Sequence, residues 1–273
     1  MHEELPVVGA AMPVKMLAEH REWLIAGQRD LELWDFCHAD LLDGDWRGLV
    51  AQARDLLDGY TGRLGIHGPY EGMALICSDQ RVTALTVERF KQGLECAAAI
   101  GATHMVIHSP FDFFGAPHVA HTPGHGLAAE IGRAHEVLDA VVPIAAQIGC
   151  TLVIEVCADQ ATPPLIALVR SFESEHVRVS LDVGHAFIMQ RVGGPPPDQW
   201  VRDAGPLLGH LHLQDNDGLL DRHWAPGEGS LGWFALFEAL GELQHRPRLL
   251  LELNKVEKVR RAAAWLAERG LVR

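Results

Sequence analysis

The chain has 273 residues, with 36 Asp and Glu against 23 Lys and Arg, a formal net charge of −13 at pH 7 and 48% apolar residues. An acidic balance of this size leaves no basic footprint for general nucleic-acid or membrane-surface binding. No run approaches the roughly 18 apolar residues that a spanning helix needs. The length suits one domain over 1–273, with enough apolar residues for a large core.

The N-terminal stretch MHEELPVVGAAMPVKML has only a short apolar segment and acidic residues where a secretion signal is basic. The first run that reads as a strand is LPVVGA (5–10), followed by DLELWDF (30–36), RLGIHGPY (63–70) and THMVIHSP (103–110). TLVIEVC (151–157), VRVSLDVGH (177–185), GHLHLQD (209–215) and RLLLELN (248–254) complete the series. Each is rich in Val, Ile or Leu without strict alternation, the pattern of strands buried on both faces. Between them, 83–100, 125–148 and 256–269 are the clearest helices, with Gly101, Gly149 and Gly270 as C-terminal stops. Leu85, Phe90, Leu94 and Ala97 form one apolar stripe on the first of these. GGPPPDQW (193–200) reads as a stiff loop, and PFDFFGAPHVAHTPGH (110–125) as a long one with His118, His121 and His125. Eight strands alternating with helices predict an α/β fold, a single (β/α)8 barrel. A doubly wound open sheet is the competing architecture, but no G-x-G-x-x-G turn follows the first strand.

Five cysteines, Cys37, Cys77, Cys96, Cys150 and Cys157, show no C-x-x-C spacing, as expected of reduced thiols in a cytoplasmic enzyme. Neither G-x-S-x-G, a Walker A sequence nor H-E-x-x-H occurs, so the usual signatures of serine hydrolases, P-loop nucleotide enzymes and helix-borne zinc proteases are missing.

The chemistry-bearing residues sit at strand ends. Glu155 in LVIEVC, Asp182 in VSLDVGH and Glu252 in LLLELN place carboxylates in apolar runs, where a charge is costly unless paired or metal-bound. His67, His108 and His212 end other strands, and His185 follows Asp182 in D-V-G-H, where the glycine would allow a sharp exit from the strand. His210 shares parity with His212 and is expected to pack in the core, and Glu32, which could line the same cavity, is expected to form an ion pair inside the barrel. Asp221 and His223 stand two apart in the loop QDNDGLLDRHWAPGEGSLGW and could chelate one ion. Gly227 and Gly229 imply a tight turn there, Glu228 a structural or surface role, and Trp233 packing with the next helix. Mixed imidazole and carboxylate donors favour Zn, Mn, Co or Fe over Ca. Nine candidate ligands exceed the four or so that one ion needs, and predict two or three ions unless some histidines meet substrate instead.

IHGPY, VIHSP, LVIEV, SLDVGHAF, HLHLQDNDG, DRHWAPGEGSLGW and LLLELN occur in an order and spacing that resemble the xylose isomerase-like TIM barrels. That superfamily joins sugar isomerases and epimerases to AP endonucleases of the endonuclease IV type. The resemblance to the keto-sugar 3-epimerases implies one divalent ion on Glu155, Asp182, His212 and Glu252. There the two glutamates also exchange the substrate proton, and His185 contacts substrate. The resemblance to the nucleases implies three zinc ions on His67, His108, Glu155, Asp182, His185, His212, Asp221, His223 and Glu252. VCADQATPP after Glu155 and LNKVEK after Glu252 depart from the nuclease pattern. The leading expectation is a divalent-metal-dependent sugar or sugar-phosphate isomerase or epimerase, working through a metal-stabilised enediolate with Glu155 and Glu252 catalytic. The alternatives are a multinuclear-metal phosphodiesterase and a catalytically inactive sugar- or metal-binding barrel. Self-association is a further implication of the resemblance.

Overall fold

The computed structural model describes residues 5–111 and 126–273. Eight strands close into a barrel in sequence order: β1 Gly9–Met12, β2 Leu31–Leu33, β3 Leu64–His67, β4 His104–His108, β5 Thr151–Val156, β6 Val177–Asp182, β7 Leu208–Leu213 and β8 Arg248–Leu251. Every neighbouring pair is parallel, and β8 pairs back onto β1 through Gly9↔Leu250 and Ala10↔Leu251. The short aliphatic runs therefore satisfy both faces at once: one side chain points into the barrel and the next under the helical layer.

The outer layer comprises α1 Leu17–Gly27, α2 Ala39–Leu42, α3 Trp46–Leu56, α4 Gln80–Ile100, α5 Leu127–Leu138, α6 Val142–Gln147, α7 Thr162–Ser171, α8 Val183–Gln190, α9 Pro197–Ala204, α10 Trp233–Gly241 and α11 Val259–Ala267. The carboxylate of Asp79 accepts the Arg81 N–H at 2.8 Å to start α4, and Gly101 ends it at φ +81°. Among the described residues, no helix is long and apolar enough to cross a membrane.

Four local expectations change. The first strand is Gly9–Met12 rather than 5–10: the Pro6 carbonyl accepts the Arg273 N–H at 3.0 Å, so that stretch runs beside the chain's end and outside the sheet. The predicted helix 125–148 is two helices within its described part, because Pro143 has no N–H to donate and opens α6 instead of continuing α5. Leu85 is 41% exposed, and the buried stripe of α4 runs through Thr83, Thr86, Phe90, Leu94 and Ala97. The proline run expected to be a loop over 193–200 starts α9, with Pro197 in the first helical turn, where a missing N–H costs nothing. His118, His121 and His125 lie outside the described residues.

Candidate metal centre

The carboxyl-terminal mouth of the barrel holds a cavity of about 390 Å³. Of the nine residues singled out in the sequence, His67, His108, Glu155, His185, Asp221, His223 and Glu252 line it, with Trp34, Cys37, His38, Tyr70 and Cys157. Asp182 and His212 sit at its floor, fully buried. Strand register explains the convergence: His108 pairs with Glu155 across β4 and β5, and Asp182 with His212 across β6 and β7. All nine come together as three groups whose potential ligand atoms lie within 4.8 Å of one another. They are His67–His108–Glu155, Glu155–Asp182–His212–Glu252 and His185–Asp221–His223, with Glu155 common to the first two.

The donor geometry fits a cation. Glu155 Oε2 stands 3.5 Å from both His67 Nε2 and His108 Nε2, too far for good hydrogen bonds. Ligands on one tetrahedral ion with bonds near 2.1 Å are separated by about 3.4 Å. His212 Nδ1 lies 3.0 Å from Glu155 Oε1 and 3.4 Å from Glu252 Oε2. Glu155 Oε2 and Asp182 Oδ2 are buried without a hydrogen-bond partner, a costly arrangement for carboxylates that a cation would relieve.

Backbone carbonyls aim several of the imidazoles. His67 Nδ1 lies 2.9 Å from the Gly68 carbonyl, His185 Nδ1 3.1 Å from that of Val156, and His223 Nδ1 3.2 Å from that of Glu252. With Nδ1–H donated there, each Nε2 lone pair is free for the cavity. Both His185 Nε2, at 3.2 Å, and His223 Nε2, at 3.0 Å, converge on Asp221 Oδ2.

The loop after β7 is held by Asp215, whose signal in the sequence was hidden among neighbouring polar residues. Its carboxylate accepts from Gly227 N at 2.8 Å, Leu231 N at 3.1 Å and Trp233 Nε1 at 3.0 Å. Gly227 adopts φ +87°, in keeping with the expected tight turn, while Glu228 pairs with Lys258 at 2.6 Å on the outside. His223 itself takes φ +47°, a left-handed conformation that costs a non-glycine residue roughly 1–2 kcal/mol. Gln214, also unremarked in the sequence, donates to Asp221 at 2.6 Å and to Asp182 at 3.3 Å, tying two groups together. Gly184 does not supply the sharp turn expected of it. Asp182 instead caps α8 by accepting the His185 N–H at 2.7 Å, and a Cβ at Gly184 would meet the Gln214 amide at 2.2 Å.

Beneath the floor, Glu32 forms the interior ion pair expected of it with His212, while burial drives the nearby His104 and His210 towards their neutral forms. His210 packs in the core, its Nδ1 2.7 Å from Ser180 Oγ. A Cβ at Gly65 would lie 1.8 Å from the His104 ring, so a glycine there opens the space that His104 fills.

Charges within the centre are strongly coupled. Burial pushes the Glu155 carboxyl up, but His212, His67 and His108 outweigh it and hold the group well below the usual carboxylate range. Burial dominates at Asp182 and Glu252, and both are raised. Against the opposing effect of burial, surrounding carboxylates lift His212 and His185 well above the ordinary imidazole value and His223 to about 9. Burial drives His108 down to about 4.

A closed parallel barrel with imidazoles and carboxylates gathered at its carboxyl mouth defines the class of fold. A family model described as xylose isomerase-like TIM barrel matches residues 26–269, and the chain belongs to that family. An uncharacterized protein of Methanocaldococcus jannaschii is 22% identical over 222 residues, which is 78% of this chain and 72% of its own. A D-psicose 3-epimerase of Agrobacterium fabrum is 27% identical over 131 residues, 46% of this chain and 42% of its own. Among solved structures, a Thermus thermophilus protein soaked with ZnCl2 superposes with a TM-score of 0.73 at 27% identity, over 96% of this chain and 98% of that one. A D-tagatose 3-epimerase-like protein superposes with a TM-score of 0.76 at 20% identity, over 96% of each chain.

Proposed function

We propose that the protein is a divalent-metal-dependent isomerase or epimerase of a sugar or sugar phosphate. The observation that carries this reading is the tetrad Glu155–Asp182–His212–Glu252, in which a glutamate from β5 and one that follows β8 bring ligand atoms within 4.8 Å of each other. The likeness to a protein named as a D-psicose 3-epimerase supports it, and a D-tagatose 3-epimerase-like protein shares the fold.

A divalent ion held by the tetrad (Zn, Mn, Co or Fe, from the donor set) would polarise a substrate carbonyl and offset the charge that develops on its oxygens. Glu155 and Glu252 would flank the substrate carbon, one taking its proton and the other returning one. His185, whose Nε2 faces the cavity, would fix a neighbouring hydroxyl. Trp34 and Tyr70 would wall the substrate from bulk water. The reading places the enzyme in the cytoplasm, where its five free thiols would stay reduced, and includes self-association.

Deuterium uptake from D2O into a panel of ketoses, using metal-loaded protein, tests the reaction. Exchange at the carbon next to the carbonyl is expected, and Glu252→Gln should lower turnover about 10²–10⁴-fold. A Glu252→Gln protein that kept both its metal and full turnover would remove the acid–base role.

A second reading rests on a separate observation: the triads His67–His108–Glu155 and His185–Asp221–His223 complete a set for three ions. Such a centre suits phosphodiester hydrolysis. Elemental analysis separates the two readings, one ion per chain favouring the epimerase and three the cluster. Failure of the three-ion protein to nick an abasic duplex would dismiss the nuclease form.

A further inference from the structure

His212 is anchored differently from the other imidazoles of the centre. His67, His185 and His223 each direct Nδ1 to a backbone carbonyl and Nε2 to the cavity. His212 is reversed. Its Nδ1 faces Glu155 and Glu252, and its Nε2 lies 2.9 Å from Glu32 Oε1 in the barrel interior. Glu32 is wholly buried, and its other oxygen, Oε2, is 2.8 Å from His104 Nε2.

A backbone carbonyl can only accept, so it dictates which ring nitrogen carries the proton. A carboxylate does the same only while it is ionised. An ionised Glu32 accepts the Nε2–H of His212 on one oxygen and the Nε2–H of His104 on the other. In the neutral ring, the form in which imidazole binds a cation, the His212 Nδ1 lone pair is then left pointing at the tetrad. We propose that Glu32 is the positioning residue of this centre: it holds His212 in the Nε2–H tautomer and so presents Nδ1 to the ion. The proposal rests on the tetrad being a cation site, and not on which reaction that site performs. Glu32 could instead be a ligand in its own right with His210 and His212. Its separations of 2.8 and 2.9 Å from His104 Nε2 and His212 Nε2 are the lengths of hydrogen bonds, His210 Nε2 at 3.2 Å makes none, and His104 fills the space beside it.

Glu32→Gln keeps the shape and removes one acceptor. If the amide N–H faces His212, that ring must carry its proton on Nδ1, aimed into the tetrad. If the amide oxygen faces His212, His104 must move its proton to Nδ1, which has no hydrogen-bond partner in the interior. Either arrangement raises the cost of the ligating form.

The test uses the full chain, zinc as the probe, and ¹⁵N-histidine spectra that read protonation at each ring nitrogen. In the zinc-loaded wild type, His212 is expected to carry its proton on Nε2 and zinc on Nδ1. In Glu32→Gln, zinc affinity by chelator competition is expected to fall about 10–100-fold, with changed His212 or His104 ring signals. Zinc on His212 Nε2 in the wild type would overturn the proposal without any variant, and so covers a Glu32→Gln chain that fails to fold. Unchanged affinity with a lower zinc-free melting temperature would also overturn it, leaving Glu32 a packing role. Loss of one whole zinc equivalent with unaltered ring tautomers would overturn it in favour of a ligand role. A wild type that binds zinc without epimerising any sugar would sink only the proposed reaction. One that binds no divalent ion would sink the centre and this inference together.

Discussion

His212 meets Glu155 and Glu252 through one ring nitrogen and Glu32 through the other, which is why its proton is held so strongly. The same carboxylate pressure acts on His185 and His223. A metal ligand must be the neutral imidazole, so each of these protons competes with a cation. The sign follows directly. His223, lifted to about 9, is protonated at pH 7, so cation binding that engages it must release a proton there, and affinity should climb as the pH rises through about 9. Titration calorimetry at pH 7 in two buffers of different ionisation enthalpy should therefore give different heats, corresponding to net proton release. Equal heats in both buffers would contradict this account. In chelator-treated protein the trend inverts: the stabilisation from His223 is complete below about pH 6.5 and is lost as the pH rises through about 9.

At the level of the elements, the site depends on small residues that let large polar ones approach. Gly65 on β3 faces the interior where His104 from β4 crosses, and no side chain fits between them. Gly65→Ala should therefore destabilise the fold by about 1–3 kcal/mol through overpacking. Urea unfolding should show it as a lower midpoint at unchanged slope. A midpoint equal to that of the wild type would mean that His104 can turn away at no cost, and that the Glu32 network is looser than its distances imply. The β7 loop follows similar logic, since the Asp215 carboxylate gathers backbone N–H groups from residues up to Leu231 and so sets where Asp221 and His223 project.

Across the whole molecule, barrel closure brings together residues that are far apart along the chain. Glu32 and His212 are separated by 180 positions and still meet at 2.9 Å. A cation bound to such a centre has no counterpart in the unfolded chain, so its binding free energy adds to stability. At a hundredfold excess of free ion over its dissociation constant the gain is about 2.7 kcal/mol. For a chain of this size that corresponds to a rise in Tm of roughly 5–10 °C. Thermal unfolding before and after chelation, and again with graded Zn²⁺ or Mn²⁺, should show a concentration-dependent shift of that order. A melting temperature indifferent to chelator and ion would argue that the nine residues form a hydrogen-bonded cluster only.

The eight aliphatic runs, their order and the polar residues at their ends were legible in the sequence, because a strand buried on both faces must be apolar along its length. A carboxylate such as Glu155 or Asp182 stands out against that background. Helix limits were less legible wherever proline decided them, as at Pro143 and Pro197, since proline can either end a helix or begin one. Beyond the Asp221 and His223 pair and the tetrad that the family resemblance implied, the partners of the site residues were not legible. That Glu32 supports His212, that Gln214 bridges Asp182 to Asp221, and that Gly184 makes room for Gln214 all follow from strand register and barrel closure. Residue type and local periodicity are properties of a short segment and can be read from it. Contact between distant segments exists only once the strands are paired and the barrel is shut.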